Sequence, residues 1–156
     1  MKSLIKGFFA ILIVVGCSSE GVNSIPDNQD PPNSLQANPA PDPRDCPTTS
    51  SLIGESRELV AVSEIYGISG LVTIVSDCEI EITNFFYNGS GPNVSVYAGI
   101  DNNFVNGVNM SVPLNGTAFE NQTLNLFLPE GATFNEFNSI SIWCFEFDQD
   151  FSSASF

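Results

Sequence analysis

Along the second half of the chain, apolar residues recur at every other position. Leu71-Val72-Thr73-Ile74-Val75 is a β-branched run bounded by Gly70 and Asp77. Ile80 and Ile82 alternate with Glu79, Glu81 and Thr83, and Val94 and Val96 with Asn93, Ser95 and Tyr97. Leu124, Leu126 and Leu128 alternate with Thr123, Asn125 and Phe127. Ser139-Ile140-Ser141-Ile142 does the same before running into Trp143-Cys144-Phe145-Glu146-Phe147. A period of two is the mark of a strand with one face buried. Between these runs stand Asn88-Gly89, Gly91-Pro92, Asn106-Gly107, Asn115-Gly116 and Glu130-Gly131. Such pairs supply positive φ at little cost and read as turns. No segment carries a helical period. The pattern predicts an all-β fold, an antiparallel β-sandwich or jelly-roll-like single domain of short strands over residues 46–156.

The start of the chain is patterned differently. Lys2 and Lys6 precede the apolar run Phe8–Gly16, and Cys17 follows Val14-Val15-Gly16. A basic start, a short apolar stretch and a small residue before the cut make an export signal. The run is too short for a membrane span, which takes about 20 apolar residues. Val-Val-Gly-Cys resembles the lipobox of bacterial lipoproteins. It implies that residues 1–16 are a signal peptide and that Cys17 is acylated as the mature N-terminus. Ser18 does not look like an inner-membrane retention signal, so the expected location is the bacterial cell envelope, lipid-anchored at the outer membrane. Residues 17–45 are rich in Pro, Asn and Ser and poor in large apolar side chains, as in Asn38-Pro39-Ala40-Pro41-Asp42-Pro43. They read as a tether that cannot offset the entropy of ordering.

Charge and composition narrow the chemistry. Both lysines lie in the first 16 residues, so Arg44 and Arg57 alone face 18 carboxylates, a charge of −16 over residues 17–156. Such a surface repels nucleic acid and anionic headgroups and favours a basic partner. The sequence contains no histidine. Ser-His-Asp and Cys-His catalysis are thereby excluded, as are histidine zinc sites and bis-histidine haem. Asp101-Asn102-Asn103 lacks the ligand spacing of a calcium loop. No nucleophile–base constellation is visible, and an autonomous enzyme is not expected.

With Cys17 acylated, Cys46, Cys78 and Cys144 remain, an odd number for an exported domain. Cys46 opens the domain and Cys78 follows Ser76-Asp77; spacing alone does not decide which two pair. Cys144 stands inside an expected strand. Alternation puts it on the face of Ile140 and Ile142, with Trp143, Phe145 and Phe147 on the other face. A strand apolar on both faces is either central and doubly covered, or it lines a groove.

The run from Phe137 through Ile142-Trp143-Cys144, followed by Phe147, Phe151 and Ala154, resembles the signature end of the DM-thirteen domain. That domain is associated with electron transfer and with DOMON and cytochrome-like modules. Upstream, Gly70–Ile74, Ile82–Phe85, Gly91–Tyr97, Leu114–Thr117 and Leu126–Pro129 match its other blocks in order. The likeness covers about residues 55–156, with Asn93 in place of the usual aspartate and Phe145 where a polar or basic residue is common. The resemblance implies that Cys144 is the redox residue, as a thiol or as ligand to a prosthetic group such as haem. Trp143 and Phe145 would wall such a group, and Met110 or a tyrosine would be its second ligand, or that position would stay open. It also favours a Cys46–Cys78 disulfide, which leaves the odd cysteine at the family's redox position.

Two further functions fit the same residues. One is a non-enzymatic binding module, a sandwich whose aromatic groove takes a small ligand, glycan or protein. The other is a purely structural surface lipoprotein. In the redox reading the partners are the membrane, through the N-terminal lipid, and a redox or surface protein; nucleic acid is no partner.

Overall fold

The computed structural model describes residues 46–156; the expected signal, Cys17 and tether lie outside the described residues. Nine strands form two antiparallel sheets: β1 (Ser56–Glu58), β2 (Val60–Ala61), β3 (Ser69–Ser76), β4 (Glu79–Tyr87), β5 (Ser95–Ile100), β6 (Asn103–Asn109), β7 (Phe119–Phe127), β8 (Ser139–Cys144) and β9 (Gln149–Ser155). One sheet has the order β1-β3-β4-β7 and the other β2-β9-β8-β5-β6. The only helical element among the described residues is a single 3₁₀ turn, Glu64–Tyr66. The expected β-sandwich is what the chain forms.

The alternating runs build the core between the sheets. Val72, Ile74, Ile80, Ile82, Leu124 and Leu126 of one sheet face Val96, Ala98, Ile140 and Ile142 of the other, all buried. Their polar alternates, Glu81, Thr83 and Asn125, lie on the outer face. Burial of apolar area at about 25 cal/mol per Å² is the main favourable term. Leu59 is the single residue between β1 and β2, and there the chain passes from one sheet to the other and closes one side of the sandwich.

Two departures, in β4 and in β6, matter for the strands around Cys144. In β4 the register with β7 shifts between Ile82 and Phe85, and Asn84 takes φ 51°. Asn121 of β7 does the same at φ 57°. Asparagine tolerates the left-handed region better than most residues. The bulge turns Phe85 and Tyr87 inward, while Phe86 points to solvent. The second break is in β6. Asn106-Gly107, expected as a turn, lies inside that strand. Gly107 is there because the chain crowds β5: a Cβ at this position would sit 2.4 Å from the Ala98 carbonyl oxygen. The turn itself is Asp101-Asn102, with φ 50° and 62°, which suits a tight β5–β6 hairpin.

The sandwich has two poles. At one, the β3–β4 turn, the β5–β6 turn and the loop 128–138 meet, and the chain enters at Cys46. Cys46 is bonded to Cys78, 32 residues on, with Cα atoms 5.7 Å apart. Beside the bridge, the Asp77 carboxylate accepts from Thr49 N (2.9 Å), Ser50 N (2.7 Å) and the Thr49 hydroxyl. Asp77 N donates to Pro47 O, and Phe134 N donates to Asp77 O. Residues 47–50 are thus sewn to the β3–β4 turn and to loop 128–138. The Thr49 hydroxyl, with the Ser50 and Thr49 amides, outweighs desolvation and holds the Asp77 carboxyl below its ordinary value of 3.8. A carboxyl whose pKa is lowered on folding stabilises the fold above its unfolded pKa, and that contribution is lost as pH falls through the folded value. Wild-type stability should therefore drop below about pH 4. Asp77→Asn should be less stable at pH 7 and show a flatter acid limb, read from urea midpoints between pH 7 and pH 2.

At the other pole lie the loops 88–94 and 110–118, the 3₁₀ turn and the β8–β9 turn, tied by Asn88 N to Tyr66 O, Gly116 N to Gly89 O and Asn93 Nδ2 to Glu146 Oε1.

Candidate functional site

Cys144 is the last residue of β8, a central strand flanked by β5 and β9 and buried at all six positions. β8 is therefore the doubly covered strand rather than the wall of a groove. Cys144 faces Gln149 in register and has no exposed surface. Its side chain belongs to the inter-sheet core with Val94, Ile140 and Ile142. It is the only free cysteine among the described residues.

The expected aromatic wall divides. Trp143 points to the opposite face of the sheet from Cys144, where its ring lies 5.6 Å from that of Phe104. Tyr97 of β5, paired with Ser141 of β8 and on that face, has its hydroxyl pKa raised by burial. Phe145 and Phe147 do not continue the strand. β8 ends at Cys144, and residues 145–148 turn back into β9, with Asp148 at φ 48°. Both phenylalanines are exposed, at 64% and 65%. The expectation that they share the Trp143 face fails because the hairpin begins one residue after the cysteine.

Met110 is buried just past the end of β6, and its amide donates to the Val96 carbonyl (2.8 Å). Val96 is in turn the partner of Ile142. One full strand, β5, therefore separates Met110 from β8, a lateral distance of about 10 Å. Val96, fully buried, belongs to the strand between them, and Val94, also fully buried, stands just before it.

Three surface grooves are lined by described residues. One opens between the edge strands β6 and β7, about 330 Å³, lined by Asn109–Val112 and Phe127–Pro129. A second, about 240 Å³, lies between residues 50–52 and 134–138. A third, about 280 Å³, lies over Phe86, Tyr87 and Phe119. None is lined by Cys144. No cluster of three or more Cys, Asp or Glu able to hold a metal occurs among the described residues.

A haem held by Cys144 does not fit this arrangement. The thiol is fully buried in the core between the sheets, Met110 stands a strand away, and the unpaired buried Nε1 of Trp143 lies on the far face of the sheet. A buried polar atom with no partner is the feature expected where a group is missing, but here it is on the wrong side. What the arrangement offers is a single thiol shielded from water and from other thiols, one residue from an exposed turn.

The model of the electron-transfer DM13 family matches residues 60–156, from β2 to the last residue and including Ile142-Trp143-Cys144. The chain belongs to that family. No curated protein and no solved structure matches it. A DM13 domain has a general electron-transfer role, and the matched segment contains every strand except β1. Cys46 lies outside the match, so the disulfide binds the family domain to the segment that precedes it.

Sequence reasoning missed Asp77 and its partners. The signal was present as an Asp directly before Cys78, with Thr49 and Ser50 following Cys46, but no sequence rule brings those two segments together.

Proposed function

We propose that this chain is an electron-transfer domain held at the bacterial cell envelope by a lipid on Cys17, and that Cys144 is its redox-active residue. The observation that supports the cysteine most directly is its isolation. Cys46 and Cys78 are bonded to each other, and Cys144 is the free thiol of the described residues, inside the matched family segment. A disulfide suits an exported protein, since the cytosol keeps thiols reduced. Val14-Val15-Gly16-Cys17 supports the lipid anchor, and residues 17–45 then serve as the tether that sets the domain off the outer membrane. Burial keeps Cys144 from small oxidants and stray thiols, so the exchange proposed is with a docked protein that carries a one-electron centre: that centre takes one electron as the thiol releases its proton and becomes a thiyl radical, and the reverse transfer restores the thiol.

The test is Cys144→Ala beside Cys144→Ser. Serine places a hydroxyl in an apolar site and should cost about 1–3 kcal/mol if it finds no partner; alanine separates redox loss from unfolding. In the lipidated chain one thiol should titrate with an aromatic disulfide reagent, only after unfolding, and none in either variant. Electron exchange at an electrode or with a protein partner should disappear in both. If Cys144→Ala stays folded and exchanges electrons as the wild type does, Cys144 is a core residue. The β6–β7 groove beside Met110 then becomes the better candidate, as the site of a binding module. Cys17→Ala should leave the precursor unlipidated; a mature N-terminus elsewhere by mass spectrometry would end the anchor assignment.

A further inference from the structure

The β8–β9 turn is built from Phe145-Glu146-Phe147-Asp148, and the fold gives no reason for its phenylalanines. Turn positions favour Gly, Asn, Asp, Ser and Pro for conformational reasons. Only Asp148 here takes a positive φ, and aspartate tolerates it. Phe145 and Phe147 are about two-thirds exposed, at 64% and 65%, so they contribute little to the core. Two large exposed aromatics two residues apart on one short turn are not the scattered apolar residues that any surface shows. Phe86 is exposed at the same pole. The turn starts directly after Cys144.

We infer that this hairpin tip is a docking surface for a protein partner that offers an apolar cleft ringed by lysines or arginines. The inference rests on the electron-transfer reading and names the face through which exchange occurs. Charge selects the partner. Glu146 and Asp148 belong to the same turn as the two phenylalanines, Asp150 follows at the start of β9, and Glu64 lies at the same pole. Arg57, the one basic residue of 46–156, is on β1, paired with Glu55 at 2.9 Å and set over the Phe156 ring. An aromatic centre with a charged rim is the anatomy of a protein interface. One that covers little area suits the brief encounters of redox proteins. A second copy of this chain would bring the same carboxylates against these. A bilayer is disfavoured because interfacial anchors set Lys and Arg beside their aromatics, not Glu and Asp. The chain also enters the domain at Cys46, at the opposite pole, roughly 20 Å away along a six-residue strand such as β8.

The experiment places p-benzoylphenylalanine at position 147 in the full-length chain, in cells that make the protein, with the same substitution at exposed Val75 near the other pole as control. After irradiation, the expected adduct at 147 is one protein with a basic surface, absent from 75. With that protein purified, Phe145→Ser/Phe147→Ser should weaken binding tenfold or more. Raising salt from 0.05 to 0.5 M should slow association at least as much. The variant should fold as the wild type does, since both side chains are exposed. An adduct with lipid, with a second copy or with an acidic protein, equal labelling at 75, no adduct, or unchanged affinity of the double variant would each overturn the docking surface. The two readings fail separately. A basic partner without a redox centre keeps the surface and removes the electron-transfer role proposed for Cys144. Electron exchange that depends on Cys144 but not on Phe145 and Phe147 keeps the role and removes the surface.

Discussion

Removing the Cys46–Cys78 bridge, by the Cys46→Ala/Cys78→Ala double substitution, is expected to cost the folded domain roughly 3–4 kcal/mol. The estimate follows from the 32-residue separation: without the bond, the unfolded chain regains the freedom of a loop of about that length. Domains of this size are stable by only about 5–15 kcal/mol, so the loss is a large share. The bridge does not act alone. Asp77, next to Cys78, holds Thr49 and Ser50, three and four residues from Cys46. Bond and carboxylate fasten the same segment to the same turn. Their removals should therefore be non-additive, because once the segment has come free the second change has less to release. The measurement is a urea titration of wild type, the double cysteine variant, Asp77→Asn and the triple variant. A loss well under 1 kcal/mol for the cysteine pair would show that residues 46–50 are held without the bond.

The strands whose pattern was clean were legible in the sequence. β3, β4 and β7 alternate because one face of each is buried and the other is not, and a period of two survives in the residues; β8 is buried on both faces, and there serines alternate with the core isoleucines Ile140 and Ile142. β6 and β9 were not legible. β6 is an edge strand of composition Asn-Phe-Val-Asn-Gly-Val-Asn, mostly unburied, and its Asn-Gly imitates a turn. β9 runs Gln-Asp-Phe-Ser-Ser-Ala-Ser, and no hydropathy rule puts Ser152 in a fully buried position with its hydroxyl unpartnered among the described residues. The candidate site was legible in part. Cys144 emerged from the odd cysteine count and the Ile-Trp-Cys resemblance, and its inward direction from alternation. Where β8 stops was not written there. Trp143, Phe145 and Phe147 share a face only if the strand continues, and the hairpin turns after Cys144 instead. Aromatic residues are also read as interior by default, so a turn that exposes two of them carries no warning in the sequence.

Phe85→Ala should destabilise the domain by about 3–5 kcal/mol, while Phe86→Ala next to it should change stability by no more than about 0.5 kcal/mol. Strict alternation from Ile80 and Ile82 would place residues 84 and 86 inside and leave 85 outside. The structure does the reverse. The register shift at Asn84 turns Phe85 into the core, fully buried and edge-on to Phe119 at 5.3 Å, and leaves Phe86 41% exposed. Alanine at 85 removes a whole ring from between the sheets and leaves a cavity that rigid strands cannot close. Gly70 belongs to the same arrangement, since a Cβ there would lie 2.9 Å from Ile82 Cγ2 and 3.4 Å from the Phe85 ring. A side chain at 70 would press on the two residues that bracket the bulge. Chemical denaturation of the two alanine variants separates the alternatives without a new structure. A large loss at 85 and almost none at 86 requires the bulge. The opposite order would mean that β4 continues unbroken, with Phe86 in the core, and would also displace Tyr87 and the Gly91 amide that donates to its hydroxyl (2.9 Å). Because that contact ties β4 to the loop leading into β5, the bulge at Asn84 helps to position the strand that lies alongside Cys144.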